Sequence, residues 1–548
     1  MKHHVIGIDF GTLSARALLL DTVTGEEKAS AVMDYPRGVM ERTMPDGRAL
    51  ERGSALQDPA DFSDVLAPLI GRVLADASLT AGDVAGLGID FTTCTMLPLD
   101  RNLRPLCHDP RFASEPHAYV RLWKHRTAQP QADAITALAR ERGEGWLSYY
   151  GGRISAECML PKILQTLDQA PEVFAATYRF FEGGDYLSLL LTGKESHSRS
   201  FTDLKANHAP DIGFPSPDFL SALHPALADL YGTRLSDRVD AVGRCAGRLN
   251  EQGAALTSLP VGTPLAMPVL DAGAAMPACG ITGEGDLLMI LGTSGVLQIN
   301  HRRCLPVSGI CGCMKEGLLP DYYTYEAGLS AIGDVFDWFV SSCLPAAYTD
   351  EAARRGISPH AYLTELSQDE PVGASGLLCL DWLCGNRSVL NDADLSGMIL
   401  GLTLKTRPEQ IYRALIEATA FGMKRACAAY EEAGIPIRRI LAAGGIAHKN
   451  GMLMQIYADV LGREILLPES RQASARGCCI YAARAAGLYP TLRAAISALA
   501  SPIRAVYRPI PDRAEAYGRL YREYLRLHDY FGRGENPIMK TLSALRKQ

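Results

Sequence analysis

The chain has no apolar stretch approaching the ~20 residues that a bilayer-spanning helix requires. Its first apolar run, from Val5, is broken at Asp9 and Gly11, too soon for a secretory signal. Fourteen cysteines are scattered without a single CxxC pair, which argues against a zinc site. In a chain of this kind they read as small buried hydrophobes in a reducing compartment, so a cytoplasmic location is expected. No GxxxxGK[ST] loop, no strand-linked GxGxxG with a downstream acid and no HExxH occurs, so any nucleotide site is of another type. There is no excess of positive charge. The formal net charge of −6 argues against non-specific binding to nucleic acid or an anionic membrane, while leaving room for a local basic pocket. Low-complexity tracts and long Ser/Gly linkers are also missing.

What is present is 548 residues, too many for one core, so two large domains are expected. The segment "GIDFGTLSARALLLD", 7–21, reads as strand, sharp turn, strand. Further strands are expected near 28–34 and over 84–90, with a helix over about 60–78 and helical patterns from about 130 to 230. Prolines and glycines cluster at 258–273 and mark a boundary. Beyond it, "GDLLMILGTSGVLQIN", 285–300, repeats the strand, Gly-Thr turn and strand of the opening, which suggests an internal duplication. Apolar spacing then predicts a helix over 408–433 closed by Gly434, and a strand over 437–445 that runs into Gly444-Gly445. A helix over 450–462 follows, with Asn450 as its N-cap, and a last long helix covers 511–530.

The opening turn brings backbone N–H groups together with the hydroxyls of Thr12 and Ser14 and the guanidinium of Arg16, a concave anion site. Asp9 is badly placed against a phosphate unless a divalent cation such as Mg²⁺ lies between them. The same residues could form a plain hairpin whose Asp caps the turn. The second turn, Gly292-Thr293-Ser294, favours the phosphate reading, because two such turns could grip a polyphosphate from both sides. Gly444-Gly445 lets a nucleoside approach the backbone, although an isolated Gly-Gly is more often a simple turn. Asp271, after an apolar run at the inferred junction, is the best candidate for a base that accepts a hydroxyl proton. A helix cap is the alternative.

These segments together resemble the FGGY carbohydrate kinases. "GIDFGTLSAR" and "LGTSG" are similar to that family's two phosphate motifs, and "AAGGIAHKN", 442–450, to its adenosine motif. "GIDFTTCTMLPLD", "LWKHRTA", "EAGLSAIGDVFDWFV" and "LDWLCGNRS" resemble the branch that phosphorylates L-ribulose in L-arabinose catabolism. The likeness runs from residue 6 to about 490. It implies an α/β fold of two ribonuclease-H-like, actin/hexokinase-type ATPase domains with the active site in the cleft between them. Residues 1–266 would bind the sugar and carry the first phosphate motif. Residues 267–548 would bind ATP, with Asp271 at the junction.

The resemblance also implies roles: Asp271 as catalytic base; Thr93, Lys205 and Glu326 at the sugar; Gly11, Thr12, Ser14, Arg16, Gly292, Thr293, Ser294, Gly444, Gly445 and Asn450 at ATP and its phosphates; Asp9 at the metal. ATP, Mg²⁺ and a pentulose are the implied ligands. D-Ribulose, xylulose or ribitol remain alternative acceptors, and an actin-like assembly ATPase is the alternative of a different class. Without the resemblance, Glu326 reads as a solvated helix start, and Trp123-Lys124 as either a surface cation–π or packing pair or a sugar-side pair. Cys478-Cys479 reads as helix packing. The oligomeric state stays open, with a homodimer as one option.

Overall fold

The computed structural model describes residues 2–547. Two seven-stranded sheets organise the chain. The first contains β1 (His4–Phe10), β2 (Ser14–Asp21), β3 (Glu27–Asp34), β4 (Val84–Phe91), β5 (Cys245–Arg248), β6 (Pro264–Ala266) and β7 (Val269–Leu270). Their order is β5-β6-β4-β1-β2-β3, with β7 also paired to β4. The second contains β8 (Asp286–Leu291), β9 (Gly295–His301), β10 (Gly312–Lys315), β11 (Tyr323–Leu329), β12 (Arg439–Ala443), β13 (Ile465–Pro468) and β14 (Ile503–Tyr507), in the order β10-β11-β9-β8-β12-β13-β14.

Both sheets are built alike. In each, an antiparallel hairpin opens the half, β1 with β2 and β8 with β9, and its first strand pairs in parallel with a later one, β1 with β4 and β8 with β12. The topological likeness agrees with the duplication suggested by the two Gly-Thr turns. The helix expected over 60–78 is split at Val65 into Ala60–Asp64 and Leu66–Asp76. The helical region after residue 129 contains α1 (Met159–Gln169) and α2 (Arg199–Lys205), with a short strand, Arg179–Glu182, among the helices.

The N-terminal sheet is covered partly by helices from far along the chain. α3 (Asp271–Ala278) and α7 (Ala473–Ala485) both contribute to its core, where Ala274, Met276, Cys478 and Cys479 are buried with Ile6, Ile8 and Ile89. α7 can lie this close because β1 and β4 present glycines. A Cβ on Gly7 would stand 2.0 Å from the Ala475 carbonyl oxygen, and one on Gly88 2.1 Å from that of Cys478. Cys478-Cys479 are therefore packing residues, as expected, and all fourteen cysteines are free.

In the second half, α4 (Pro408–Glu432), α5 (Gly445–Lys449), α6 (Gly451–Leu461), α8 (Leu492–Leu499) and α9 (Pro511–Gly532) follow in chain order. α4 ends at Gly434, whose φ of +85° only glycine adopts cheaply. The Asn450 carboxamide oxygen accepts the Leu453 N–H at 3.0 Å, the expected cap of α6.

Candidate active site

The first turn is a tight hairpin in which the Gly11 N–H donates to the Ser14 carbonyl at 3.0 Å. Its surroundings come from elsewhere in the chain. Trp123 Nε1 donates to Thr12 Oγ1 at 3.1 Å, the Gln57 amide to the Thr12 carbonyl at 2.8 Å, and Tyr35 Oη to the Gly11 carbonyl at 2.9 Å. Ser14 is buried, and the Arg16 guanidinium lies 3.3 Å from Asp9. The Trp123 indole turns to Thr12, while Lys124 pairs with Glu41 at 2.6 Å.

The second turn is tighter by one residue, its internal bond running from the Gly292 N–H to the Ser294 carbonyl at 3.1 Å. It is held from outside by Ile332 N–H on the Thr293 carbonyl (2.8 Å) and Gly333 N–H on the Gly292 carbonyl (3.1 Å). The Gly444-Gly445 turn lies against it, because β12 runs parallel to β8. Gly444 has φ +97°, and a Cβ there would sit 2.4 Å from the Leu291 carbonyl oxygen. Gly445 opens α5, and Asn450 stands between α5 and α6 with its side chain engaged in capping.

Asp271 is the first residue of α3, with Leu270 as the cap position, so the carboxyl is not itself the cap. It is half-buried. Burial first, then the charge of Asp9, push its carboxyl up to about 7, against a backbone hydrogen bond from Ala272 that lowers it. A carboxylate with that pKa is poised to take a proton at neutral pH. Glu326 and Arg387 also act on it electrostatically, which places both charges within its field.

Those charges form one network. Glu326, on β11, accepts from the Gln298 amide at 2.9 Å and meets Arg387 at 3.5 Å. Arg387 also lies 3.9 Å from Glu157, and Glu157 lies 3.4 Å from Lys205 Nζ at the end of α2. Burial alone would raise the Glu157 carboxyl, but Arg387 and then Lys205 outweigh it and hold it near 2. Burial lowers the Lys205 ammonium, and the neighbouring Cys94 and Glu157 more than reverse that. Glu326 is therefore a buried strand residue in an ion network, not a solvated helix start. Thr93 lies in the turn after β4 and is half-buried. Lys162 of α1 pins that turn, donating to the Cys94 carbonyl at 2.6 Å and the Leu122 carbonyl at 2.8 Å.

A cleft opens beside this ion network. Trp123, Arg126, Glu157, Ser330, Asn386 and Arg387 are among its walls. Trp123 leads to Thr12 of the first turn. Ser330 is two residues from Ile332, which holds the second turn.

Sequence reasoning missed Asp90, Lys162, Glu157 and Arg387. Asp90 had a visible signal: "GIDF" occurs at both 7–10 and 88–91, and the two copies pair in register, Asp9 opposite Asp90 and Phe10 opposite Phe91. The phenyl rings stack at 5.4 Å. Burial, then the charges of Asp9 and Asp271, push the Asp90 carboxyl well above the usual carboxylate range. The Cys478 thiol donates to its Oδ2 at 3.1 Å, while its buried Oδ1 has no protein partner. Arg387 stood inside "LDWLCGNRS" with nothing local to mark it.

Two sheets of this topology, with paired glycine turns and a carboxylate at the junction, define a two-lobed α/β kinase of the actin/hexokinase type. Residues 287–486 match the FGGY family of carbohydrate kinases, C-terminal domain. The chain is 43% identical to the ribulokinase of Bacillus licheniformis over 97% of its own length and 98% of the relative's. It is 42% identical to that of Mycolicibacterium smegmatis over 99% and 96%. Among solved structures, xylulose kinase from Rhodospirillum rubrum is similar in fold, with a TM-score of 0.78 at 24% identity over 96% and 98% of the two chains. Plasmodium falciparum glycerol kinase with ADP has a TM-score of 0.72 at 16% identity over 95% and 97%. The chain belongs to the FGGY family of carbohydrate kinases. It is a carbohydrate kinase, with ATP as the phosphoryl donor that this family implies.

Proposed function

We propose that the chain transfers the γ-phosphoryl group of ATP to the terminal O5 hydroxyl of L-ribulose, giving L-ribulose 5-phosphate. The observation that carries this reading is Asp271, a half-buried carboxylate whose pKa near 7 suits proton abstraction, within the field of Arg387, a wall residue of the charged cleft. The whole-length likeness to proteins named ribulokinase supports the choice of sugar.

In this reading Asp271 accepts the O5 proton as the oxygen attacks phosphorus. Thr93, Lys205 and Glu326 face the sugar's other hydroxyls, and a wrong sugar leaves their buried polar atoms unpaired. Gly11, Thr12, Ser14 and Arg16 hold the phosphates from the first lobe, and Gly292, Thr293 and Ser294 hold them from the second. Gly444, Gly445 and Asn450 border the adenosine. The part up to about residue 266 would supply the sugar side and the part after it the ATP side, with β7, α3 and α7 of the later part packed onto the first sheet. Asp9 and the unpartnered Asp90 Oδ1 form an all-oxygen set of the hard type that Mg²⁺ prefers. Bound there, Mg²⁺ would neutralise phosphate charge. Closure of the two lobes would exclude water and limit ATP hydrolysis.

A coupled ADP-release assay against L-ribulose, D-ribulose, xylulose and ribitol tests the reading. The highest kcat/KM on L-ribulose is the expected result. A better acceptor in the panel would replace the sugar, and ADP release independent of any acceptor would overturn the assignment.

A further inference from the structure

Away from the cleft, one phenol carries two cations. Arg302 Nη2 donates to Tyr322 Oη at 3.0 Å, with its guanidinium carbon 4.9 Å from the ring centroid. Arg493 Nη2 donates to the same oxygen at 3.3 Å. Two like charges thus share one neutral acceptor. Among the described residues, neither side chain has a carboxylate partner.

Tyr322 and Arg493 line a pocket together with Arg244 and Arg484. Those two guanidiniums also make no hydrogen bond or ion pair among the described residues. Glu316 and Asp321 stand at the same pocket, and Glu316 Oε1 is taken up by the Asp321 N–H at 3.3 Å. The floor is apolar: Val242, Leu319, Leu492 and Ile496 are buried. The three lining arginines come from separate parts of a chain whose net charge is −6. Unpaired guanidiniums beside a hydroxyl form the donor set that grips a phosphate through several N–H groups. The buried aliphatic floor adds room for an organic body.

We propose that this pocket binds a small phosphomonoester, with its phosphate among Arg244, Arg484, Arg493 and Tyr322 and its body against the apolar floor. It shares no lining residue with the cleft that holds Glu157 and Arg387.

The test is isothermal titration of the full chain and of an Arg484→Gln/Arg493→Gln variant with three probes: inorganic phosphate, ribose 5-phosphate and AMP. Arg244→Gln, a single change in an exposed side chain, serves as a second variant should the double one misfold. The unmodified chain is expected to bind one of the two esters more tightly than inorganic phosphate, and the tighter ester identifies the body as sugar or nucleoside. The variants are expected to lose about tenfold or more of that affinity. Their KM values for ATP and sugar should not change, which separates this pocket from the cleft. Equal ester affinity in the unmodified and variant chains would overturn the proposal, as would inorganic phosphate binding as tightly as the tighter ester.

Discussion

Asp9 and Asp90 are register partners on the parallel strands β1 and β4, and β7, on the other side of Asp90, runs directly into Asp271. Three carboxyls therefore occupy neighbouring positions at the ends of adjoining elements. Burial and repulsion from the neighbouring acids raise the carboxyls of Asp90 and Asp271 above the ordinary carboxylate range. Asp90, fully buried, is pushed towards its neutral form, and Asp271 is raised to about 7.

The first consequence concerns rate. Asp271 acts as a base only when ionised, so kcat/KM should rise with pH through about 7 and then level off. Asp271→Asn should lower kcat by about 10²- to 10⁴-fold, the usual contribution of such a group, while ATP binding is spared. Steady-state kinetics from pH 5.5 to 9, with ATP affinity measured separately, checks both. A variant with near-normal turnover would remove Asp271 from this role.

The same group sets a stability trend. Its folded-state pKa is raised, so the folded chain holds this proton at pH values where the unfolded chain has released it. The favourable contribution is complete below the unfolded pKa of about 3.8 and is lost as pH rises through about 7. Asp271→Asn should therefore raise Tm relative to the unmodified protein, more at pH 8 than at pH 5. Thermal unfolding at the two pH values measures the difference, and a Tm lowered equally at both would contradict it.

Arg387 holds two acids, Glu326 and Glu157, that have few other cationic partners. Arg387→Gln leaves both carboxylates under-compensated. Removing one member of a buried ion pair costs about 3–5 kcal/mol, and the lower end applies here because Arg387 is partly exposed. The sugar KM should rise several-fold with little change in ATP KM. An effect on ATP KM alone would place the network on the wrong ligand.

Gly444 admits no side chain, because φ is +97° and the Leu291 carbonyl stands where a Cβ would go. Gly444→Ala must push β12 away from the end of β8, next to Gly292. A cost of about 1–3 kcal/mol is expected from the backbone strain. Denaturant unfolding should register that loss, and ATP KM should rise while sugar KM holds. Unchanged values in both would show that the turn relaxes freely.

Local patterns carried most of the fold into the sequence. The two hairpins, α4 with its closing Gly434, and α6 with its Asn450 cap were legible because period, turn chemistry and capping act over a few residues. The catalytic candidate was legible only in part. Asp271 could be picked out as an acid after an apolar run, but its pKa depends on Asp9, far back in the chain.

The amino-acid order alone thus determined the elements, the paired Gly-Thr turns and the residues available for chemistry. Tertiary structure decided which of them meet. Arg387 reaches Glu326 across 61 positions, Trp123 reaches Thr12 across 111, and Cys478 reaches Asp90 across 388. Those contacts arise from strand order and from helices seated on glycines of distant strands. Burial then changes the charge each group carries, because desolvation depends on everything packed around it and on no single neighbour in the chain.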